Sequence, residues 1–405
     1  MSVPDNSEYP ALMRILSRPR PSGSKAERET LSALQDWLQT HAIPHRLQAF
    51  SLYPYFFICI GIWMICSYSL LALAVWLRWG WAASLIAVFA ILGGLLDTTL
   101  DIPLVTWPGR TMGHNLLMEF GPTAPDGEPP QNAEAVSELV ISAHYDSKTE
   151  LLDHTIRTFF VKNLRIGIAL AVILGLIAPL ERFLAPTLAR QVHTLAVFLT
   201  LPLLLLTWGL GLNLSIKLPE RMPSLQSQGA VDNGAACAIL LGLAQRVQAG
   251  EVQLNNTHLT LALFGGEEVN MQGSRAFVNS RAWPPSSKAL NLEIMAQDGV
   301  YATWQQDGTA LKLLVTDPTL NQAITEAVLS VTGTLPHPAG PINSDGYSFL
   351  RAGIPATTLG TFDIQLQARG FHRPSDNLSR VQMNRLPEAV EVLEQFIRKM
   401  DETNG

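Results

Sequence analysis

Cysteine is scarce in this chain, with three in 405 residues. Cys59 and Cys66 lie in an apolar run and Cys237 falls in a predicted helix, so neither a disulfide framework nor a cysteine-based zinc site is indicated. Charge is scarce as well. Only 15% of the residues are Asp, Glu, Lys or Arg, against 47% hydrophobic. That is too apolar for an ordinary soluble enzyme and implies membrane segments. A positive excess is missing too: the net charge is −6, which argues against nucleic acid as a partner. No internal repeat is evident. About fifty polar and charged residues precede the first apolar run, which is not the layout of a cleavable signal peptide.

Four long apolar runs account for the composition. Tyr55 to Leu77 carries no charge and is long enough to span a bilayer. Arg78 interrupts, and Trp79 to Leu96 forms a second span that ends at Asp97. Ile166 to Leu180 is a shorter third run, which Thr158 to Phe160 extends if Lys162 and Arg165 snorkel. Thr194 to Leu214 is a clearer fourth. The plain alternative for each run is a buried core helix. Pairing favours membrane helices, because an even number of spans lets the flanking segments stay on one side.

The remainder reads as alternating helix and strand. Ser22 to Leu38 offers a serine cap followed by apolar residues at helical spacing. Gly234 to Gln248, about 318 to 331, Ser344 to Arg351 and Leu386 to Met400 read as helices. Ile43 to Phe50, Gly113 to Gly121, Leu259 to Phe264, Ala289 to Met295, Leu311 to Val315 and Pro355 to Leu359 read as strands. This alternation predicts an α/β sandwich with a mostly parallel central sheet.

The informative stretch is Leu139-Val-Ile-Ser-Ala-His144-Tyr-Asp146-Ser-Lys148. Its apolar, β-branched run reads as a buried strand that ends in a histidine and, two residues on, an aspartate. The carboxyl ends of strands in open α/β sheets are where ligands bind. There a His can ligate a metal and an Asp can orient it. Four further pieces follow in order at predicted strand or helix ends: Gly229-Ala-Val-Asp232-Asn233, Phe264-Gly-Gly-Glu267-Glu268, Glu293 within Leu-Asn-Leu-Glu-Ile-Met, and Phe371-His372-Arg-Pro-Ser-Asp376-Asn. Singly, each has a bland explanation. Asp232 could cap a helix, Glu267 and Glu268 could be a solvated turn, and His372 could be a loop histidine. Glu293 sits among apolar neighbours, where an unpaired carboxylate is costly. Together they offer two imidazoles and several carboxylates, a nitrogen and oxygen set that suits zinc or a similar divalent ion.

These motifs resemble metallopeptidase family 28, which groups co-catalytic zinc aminopeptidases with glutamate carboxypeptidases and glutaminyl cyclases. The matching strings are Ala143-His-Tyr-Asp-Ser, Gly229-Ala-Val-Asp-Asn, Gly266-Glu-Glu with Gly273-Ser-Arg, Asn343-Ser-Asp with Gly353-Ile-Pro-Ala, and Phe371-His-Arg-Pro-Ser-Asp-Asn. Arg20-Pro-Ser-Gly-Ser also looks like the family's opening. The resemblance covers residues 10–50, 113–150 and 225–400 and omits the apolar runs. It implies a zinc-aminopeptidase-like three-layer αβα sandwich interrupted by four transmembrane helices in two hairpins. The expected division is peptidase residues 1–54, hairpin 55–97, peptidase residues 98–157, hairpin 158–215 and peptidase residues 216–405.

By the same resemblance, His144 and Glu293 would hold a first zinc, Glu268 and His372 a second, and Asp232 would bridge them. Glu267 would be the general base and Asp146 would fix the tautomer of His144. The Asp232–Asn233 peptide would be cis. One departure stands out: the fourth ligand is usually Asp and here it is Glu293. That leaves a single-zinc enzyme open, and Asp298 as an alternative ligand. Asp345, Tyr347 and Arg369 are the expected substrate contacts.

Basic residues on the domain side (Arg46, Arg110, Arg157, Lys162, Arg165, Lys217, Arg221) outnumber Arg78, Arg182 and Arg190 at the hairpin tips. The positive-inside rule therefore places the catalytic part on the cytoplasmic face of an integral, multi-pass membrane protein. Peptide and the lipid bilayer are the expected partners. Three readings stay open: a membrane-anchored zinc aminopeptidase; a glutaminyl-cyclase-like acyltransferase, to which the His144-Tyr-Asp-Ser-Lys148 string is close; and a non-catalytic scaffold on a peptidase fold. A transporter is disfavoured, because the spans hold almost no ionisable residues to line a pathway.

Overall fold

A computed structural model describes residues 8–122, 137–152, 154–216, 222–309, 311–363 and 370–403. In chain order the elements are α1 (Tyr9–Leu16), α2 (Lys25–Thr40), β1 (Arg46–Leu52), α3 (Phe56–Trp76), α4 (Gly80–Thr99), β2 (Thr111–Phe120) and β3 (Ser137–His144). Next come α5 (His154–Lys162), α6 (Leu164–Leu180), α7 (Pro186–Ser215), α8 (Ala235–Gln248), β4 (Thr257–Phe264), α9 (Gln272–Val278) and β5 (Lys288–Glu293). The chain closes with β6 (Val300–Gly308), β7 (Leu313–Val315), α10 (Pro318–Thr332), β8 (His337–Ile342), α11 (Gly346–Arg351), β9 (Ala356–Phe362) and α12 (Arg385–Thr403). They form two compact units. The first is Met1–Leu52, Thr111–Thr149 and Glu220–Gly405; the second is Tyr53–Arg110 and Glu150–Pro219.

The first unit is built on a nine-stranded sheet of order β1-β2-β4-β3-β5-β9-β6-β7, with β8 paired to β6. The four central strands β4, β3, β5 and β9 run parallel. The flanks are antiparallel where β1 meets β2, β2 meets β4, and β6 meets both β7 and β9. The sheet is therefore mixed, and its parallel character is concentrated in the centre. Alternation along the central strands feeds two apolar layers. Leu139, Ile141 and Ala143 of β3 and Leu259, Leu261 and Leu263 of β4 pack into the larger cluster with residues of α1, α2, α8, α10 and α12. Val140, Ala262 and Phe264 face the other way and join Phe277, Val278 and Phe349 of α9 and α11. That is a three-layer sandwich. Helix α8 is apolar and buried nearly all round, as a helix packed between the sheet and other helices must be. At α2, Ser24 accepts from the Glu27 amide (3.0 Å), and Glu27 Oε2 reaches back to the Gly23 amide (2.6 Å).

Parallel strands put their carboxyl ends on one edge. His144 stands opposite Phe264, and Glu293 opposite Gly360. The loops that follow β3, β4 and β5 therefore leave from the same side.

Among the described residues, the second unit holds four helices long and apolar enough to cross a membrane: Phe56–Trp76, Gly80–Thr99, Thr155–Phe183 and Pro186–Ser215. The third takes in both α5 and α6, which meet at Asn163, and is therefore longer than its apolar run. Small residues set the close approaches, as in membrane helix pairs. A Cβ on Gly61 would stand 2.5 Å from the Gly211 carbonyl, and one on Gly175 would stand 2.9 Å from Ala87 Cβ. Trp76 Nε1 donates to Thr200 (3.0 Å) and Trp208 Nε1 to Ser69 (2.9 Å), so polar groups pair between helices. Large apolar side chains such as Leu85, Phe89, Phe198 and Leu205 point outward and are exposed. Residues 98–110 and 150–157, assigned to the peptidase part by sequence, fall in this unit. Asp97 binds the amides of Leu104, Val105 and Thr106, and Glu150 binds Arg157 (2.6 Å).

Candidate metal centre

His144 ends β3 with its ring buried. Its Nδ1 lies 3.2 Å from the Asp146 carbonyl oxygen and 3.5 Å from Asp146 Oδ1. A proton held there leaves Nε2 free to ligate. Nε2 is 3.3 Å from Asp232 Oδ1, 3.2 Å from Glu293 Oε1 and 3.9 Å from Glu267 Oε2. Asp146 is a hub. Its carboxylate accepts from the Ser22 hydroxyl (2.5 Å), the Glu267 amide (3.3 Å) and the Glu268 amide (3.2 Å).

Asp232 precedes α8, and its peptide bond to Asn233 is cis. Two side chains hold this segment. Asp376 accepts from the amides of Val231 (2.8 Å) and Asp232 (3.3 Å), and Asn233 Nδ2 donates to the Leu292 carbonyl on β5 (2.7 Å). The second Asp232 oxygen, Oδ2, lies 3.1 Å from His372 Nε2, which is also 3.1 Å from Glu268 Oε1. The loop carrying Glu267 and Glu268 turns at Gly266, where φ is +70°. Asn115 of β2 holds that loop, accepting from the Gly265 amide (3.2 Å) and donating to the Gly273 carbonyl (2.9 Å).

Two donor sets result, His144–Asp232–Glu293 and Asp232–Glu268–His372, with Asp232 in both. A third grouping, His144–Glu267–Glu268, is looser at its Glu267 member. Zinc held tetrahedrally at about 2.0–2.1 Å separates its ligand atoms by roughly 3.3 Å. The histidine–carboxylate pairs of the first two sets lie 3.1–3.3 Å apart, and all donors of a set lie within 4.8 Å of one another, so these residues fit zinc.

The electrostatics point the same way. Burial pushes Glu293 up to about 8, against the pull of His144. Burial likewise raises Glu267 well above the usual carboxylate range, with His144 opposing and Glu268 adding to it. Burial disfavours the charged form of His144, but Glu293 and Glu267 outweigh it and hold the imidazole well above its ordinary value. Asp232 falls well below its ordinary value despite burial, because His144 and His372 both donate to it. The cluster is short of positive charge, which a divalent ion among the donors supplies.

Asp345 stands at the start of α11 and is fully buried. Burial pushes it up to about 7, with His144 opposing. It also lies within electrostatic reach of Glu267 and Glu293. Tyr347, in α11, is buried. Arg369 lies outside the described residues. Asp298 is exposed, accepts from its neighbour's amide (Gly299, 2.9 Å) and joins none of the donor sets found among the described residues. Sequence reasoning assigned no role to Asn115, Asn233, Asp376 or Asp307. Asp307 of β6 accepts from the amide (3.0 Å) and hydroxyl (2.5 Å) of Ser344, next to Asp345. Asp376 sat in a quoted motif, and its place beside His372 was the available signal.

The three-layer α/β sandwich is a fold shared with solved zinc aminopeptidases and glutaminyl cyclases. The solved structures it resembles include a zinc aminopeptidase from Bacillus subtilis, with a TM-score of 0.53, 12% identity, and 98% of this chain and 96% of that chain covered. An aminopeptidase from Aneurinibacillus sp. strain AM-1 gives 0.55 and 13%, with coverage of 98% and 94%. The glutaminyl cyclase of Porphyromonas gingivalis gives 0.51 and 11%, with coverage of 97% and 96%. At these identities the likeness shows the fold. In sequence, residues 216–397 match the model of peptidase family M28, so the resemblance to that family is shown over this stretch. A search of the curated proteins found no match.

Proposed function

We propose that this chain is a membrane-anchored, zinc-dependent aminopeptidase that hydrolyses the N-terminal peptide bond of peptides. The observation that carries the reading is the division of Asp232, with one oxygen toward His144 and the other toward His372. His144, Asp232 and Glu293 would hold one zinc, and Asp232, Glu268 and His372 a second. Bound zinc supplies Lewis acidity, polarising the scissile carbonyl and making water a stronger acid. Glu267 takes the proton of the attacking water and returns it to the departing amine nitrogen. Its burial, which raises its proton affinity, suits a group that must carry a proton between the two. Asp146 keeps the His144 proton on Nδ1. Asp345 receives the substrate's free ammonium group, with Tyr347 two residues on. The four apolar helices anchor the chain, and the excess of basic residues on the peptidase side argues for a cytoplasmic active site.

A second reading, a glutaminyl-cyclase-like acyltransferase with one zinc on Asp232, Glu268 and His372, draws support from Glu293. Its carboxyl stands 3.2 Å from His144 Nε2 and is pushed up to about 8. It can therefore act as a protonated acid rather than as a ligand. The deciding experiment incubates the zinc-loaded, detergent-purified chain with a panel of aminoacyl amides and with peptides that begin in glutamine. The aminopeptidase reading expects free amino acids from several amides. Ammonia release confined to N-terminal glutamine, with no amino acid freed, would replace it by the cyclase reading. Neither product would leave a non-catalytic scaffold.

A further inference from the structure

Arg20 is fully buried, which is costly for a guanidinium unless each of its donors is met. They are met by backbone carbonyls. Nε donates to the Tyr145 carbonyl and Nη1 to those of Leu16, Arg18 (3.1 Å) and Gln228 (2.7 Å), while Nη2 donates to that of Gly229 (2.8 Å). The main chain adds two bonds, from the Arg20 amide to Ser147 Oγ (2.9 Å) and from the Ser147 amide to the Arg20 carbonyl (3.1 Å). The plain explanation is a satisfied core arginine. The identity of the carbonyls argues for more. Tyr145 lies between His144 and Asp146, and Gln228 and Gly229 lead directly into Asp232. One planar side chain thus grips both turns that carry His144 and Asp232, two of the three donors of the first set. Two residues on, Ser22 donates to the Asp146 carboxylate (2.5 Å).

The fit is close. Gly229 has φ +59°, and a Cβ there would stand 2.6 Å from Ser147 Cβ and 3.1 Å from Arg20 Nη1. Any side chain would push the two turns apart. His144 and Asp232 are far apart in sequence, yet their donors must meet within about 3.3 Å for zinc. A lysine in place of Arg20 keeps a positive charge but not the rigid fork that reaches three segments at once.

We propose that Arg20, with Ser22, is a positioning residue of the metal centre. It fixes the 145–147 turn against the 228–232 turn, so that His144 and Asp232 stand at metal-ligand spacing before an ion arrives. The inference rests on the zinc reading above.

The test uses the full chain in detergent, stripped with a chelator. Zinc affinity is read by competition with a chromophoric chelator, well below the unfolding temperature of each metal-free protein, which is measured alongside. Arg20→Met and Arg20→Lys are expected to weaken zinc binding by about 10–100-fold, and Ser22→Ala by about tenfold, in the range seen when groups supporting metal ligands are removed. Wild-type affinity in Arg20→Lys would show that charge suffices and overturn the proposal. So would wild-type affinity in a folded Arg20→Met. If neither Arg20 variant folds, Ser22→Ala decides: weakened zinc binding in a stable protein upholds the clamp, and unchanged binding overturns it. A wild-type chain that binds no zinc would remove the metal reading itself, a result distinct from equal binding in wild type and variants.

Discussion

Replacing Glu267 by Gln changes one oxygen for an NH2 group and nothing else in the side chain's shape. Glu267 leaves β4 through the Gly266 turn, and its amide is anchored on Asp146 (3.3 Å). The backbone therefore keeps its place in the variant. The side chain stands 3.9 Å from His144 Nε2, while the closer contacts in the two zinc-fitting sets are 3.1–3.3 Å. On the proposed reading, that longer distance fits Glu267 as a proton carrier rather than a ligand. Loss of a general base costs about 10²–10⁴ in rate, or about 2.7–5.5 kcal/mol of barrier. The expected result for Glu267→Gln is a fall of that size in kcat on an aminoacyl amide, with KM within a few-fold and zinc content unchanged. Steady-state kinetics and metal analysis on the same sample read all three. A kcat within tenfold of wild type at full zinc content would refute the assignment. Loss of zinc in proportion to activity would make Glu267 a ligand.

Two further predictions concern stability. Glu27 is buried at the start of α2, and burial, then the nearby Asp146 charge, pushes it from the ordinary 4.5 up to about 8. Between those values the folded chain holds a proton that the unfolded chain has released, so this group's contribution is complete below about 4.5 and is lost as pH rises toward 8. Glu27→Gln should flatten the fall of Tm between pH 5 and pH 8, and parallel curves for wild type and variant would contradict this. Asp97 closes α4 by accepting from the amides of Leu104 (3.1 Å), Val105 (2.9 Å) and Thr106 (2.9 Å) and from the Thr106 hydroxyl (2.5 Å). Asp97→Ala leaves these donors without their acceptor, at about 1–3 kcal/mol for each that stays buried. Limited proteolysis in detergent should then cut within residues 100–110, and an unchanged digestion pattern would count against the role.

The strands that end at His144, Phe264 and Glu293 were legible as buried, largely apolar runs, although β5 stops at Glu293 and not at Met295. The two runs that became α3 and α4 were legible from length alone. Strand direction was not, because alternation reports which faces are buried and not how neighbours pair; hence the antiparallel flanks. Strand β8 reads His-Pro-Ala-Gly-Pro-Ile, and two prolines and a glycine disguise it. It survives by pairing with β6, at the sheet's margin. The third apolar helix looked short because Lys162 and Arg165 break its hydropathy. In the site, the ligand candidates were visible as residue types at predicted strand ends. Their supports were not. An arginine near the N-terminus reads as surface until the carbonyls around Arg20 are seen, and Asp376 reads as a loop aspartate until the amides of Val231 and Asp232 are found on it.

The central claim is a pair of metal positions that share Asp232, with Glu293 completing the first. Zinc per chain, measured on the detergent-purified wild type beside Glu293→Ala, tests it most directly. The account predicts two ions in the wild type and one in the variant, retained by Asp232, Glu268 and His372. One ion in both proteins would contradict it and assign Glu293 to proton chemistry instead.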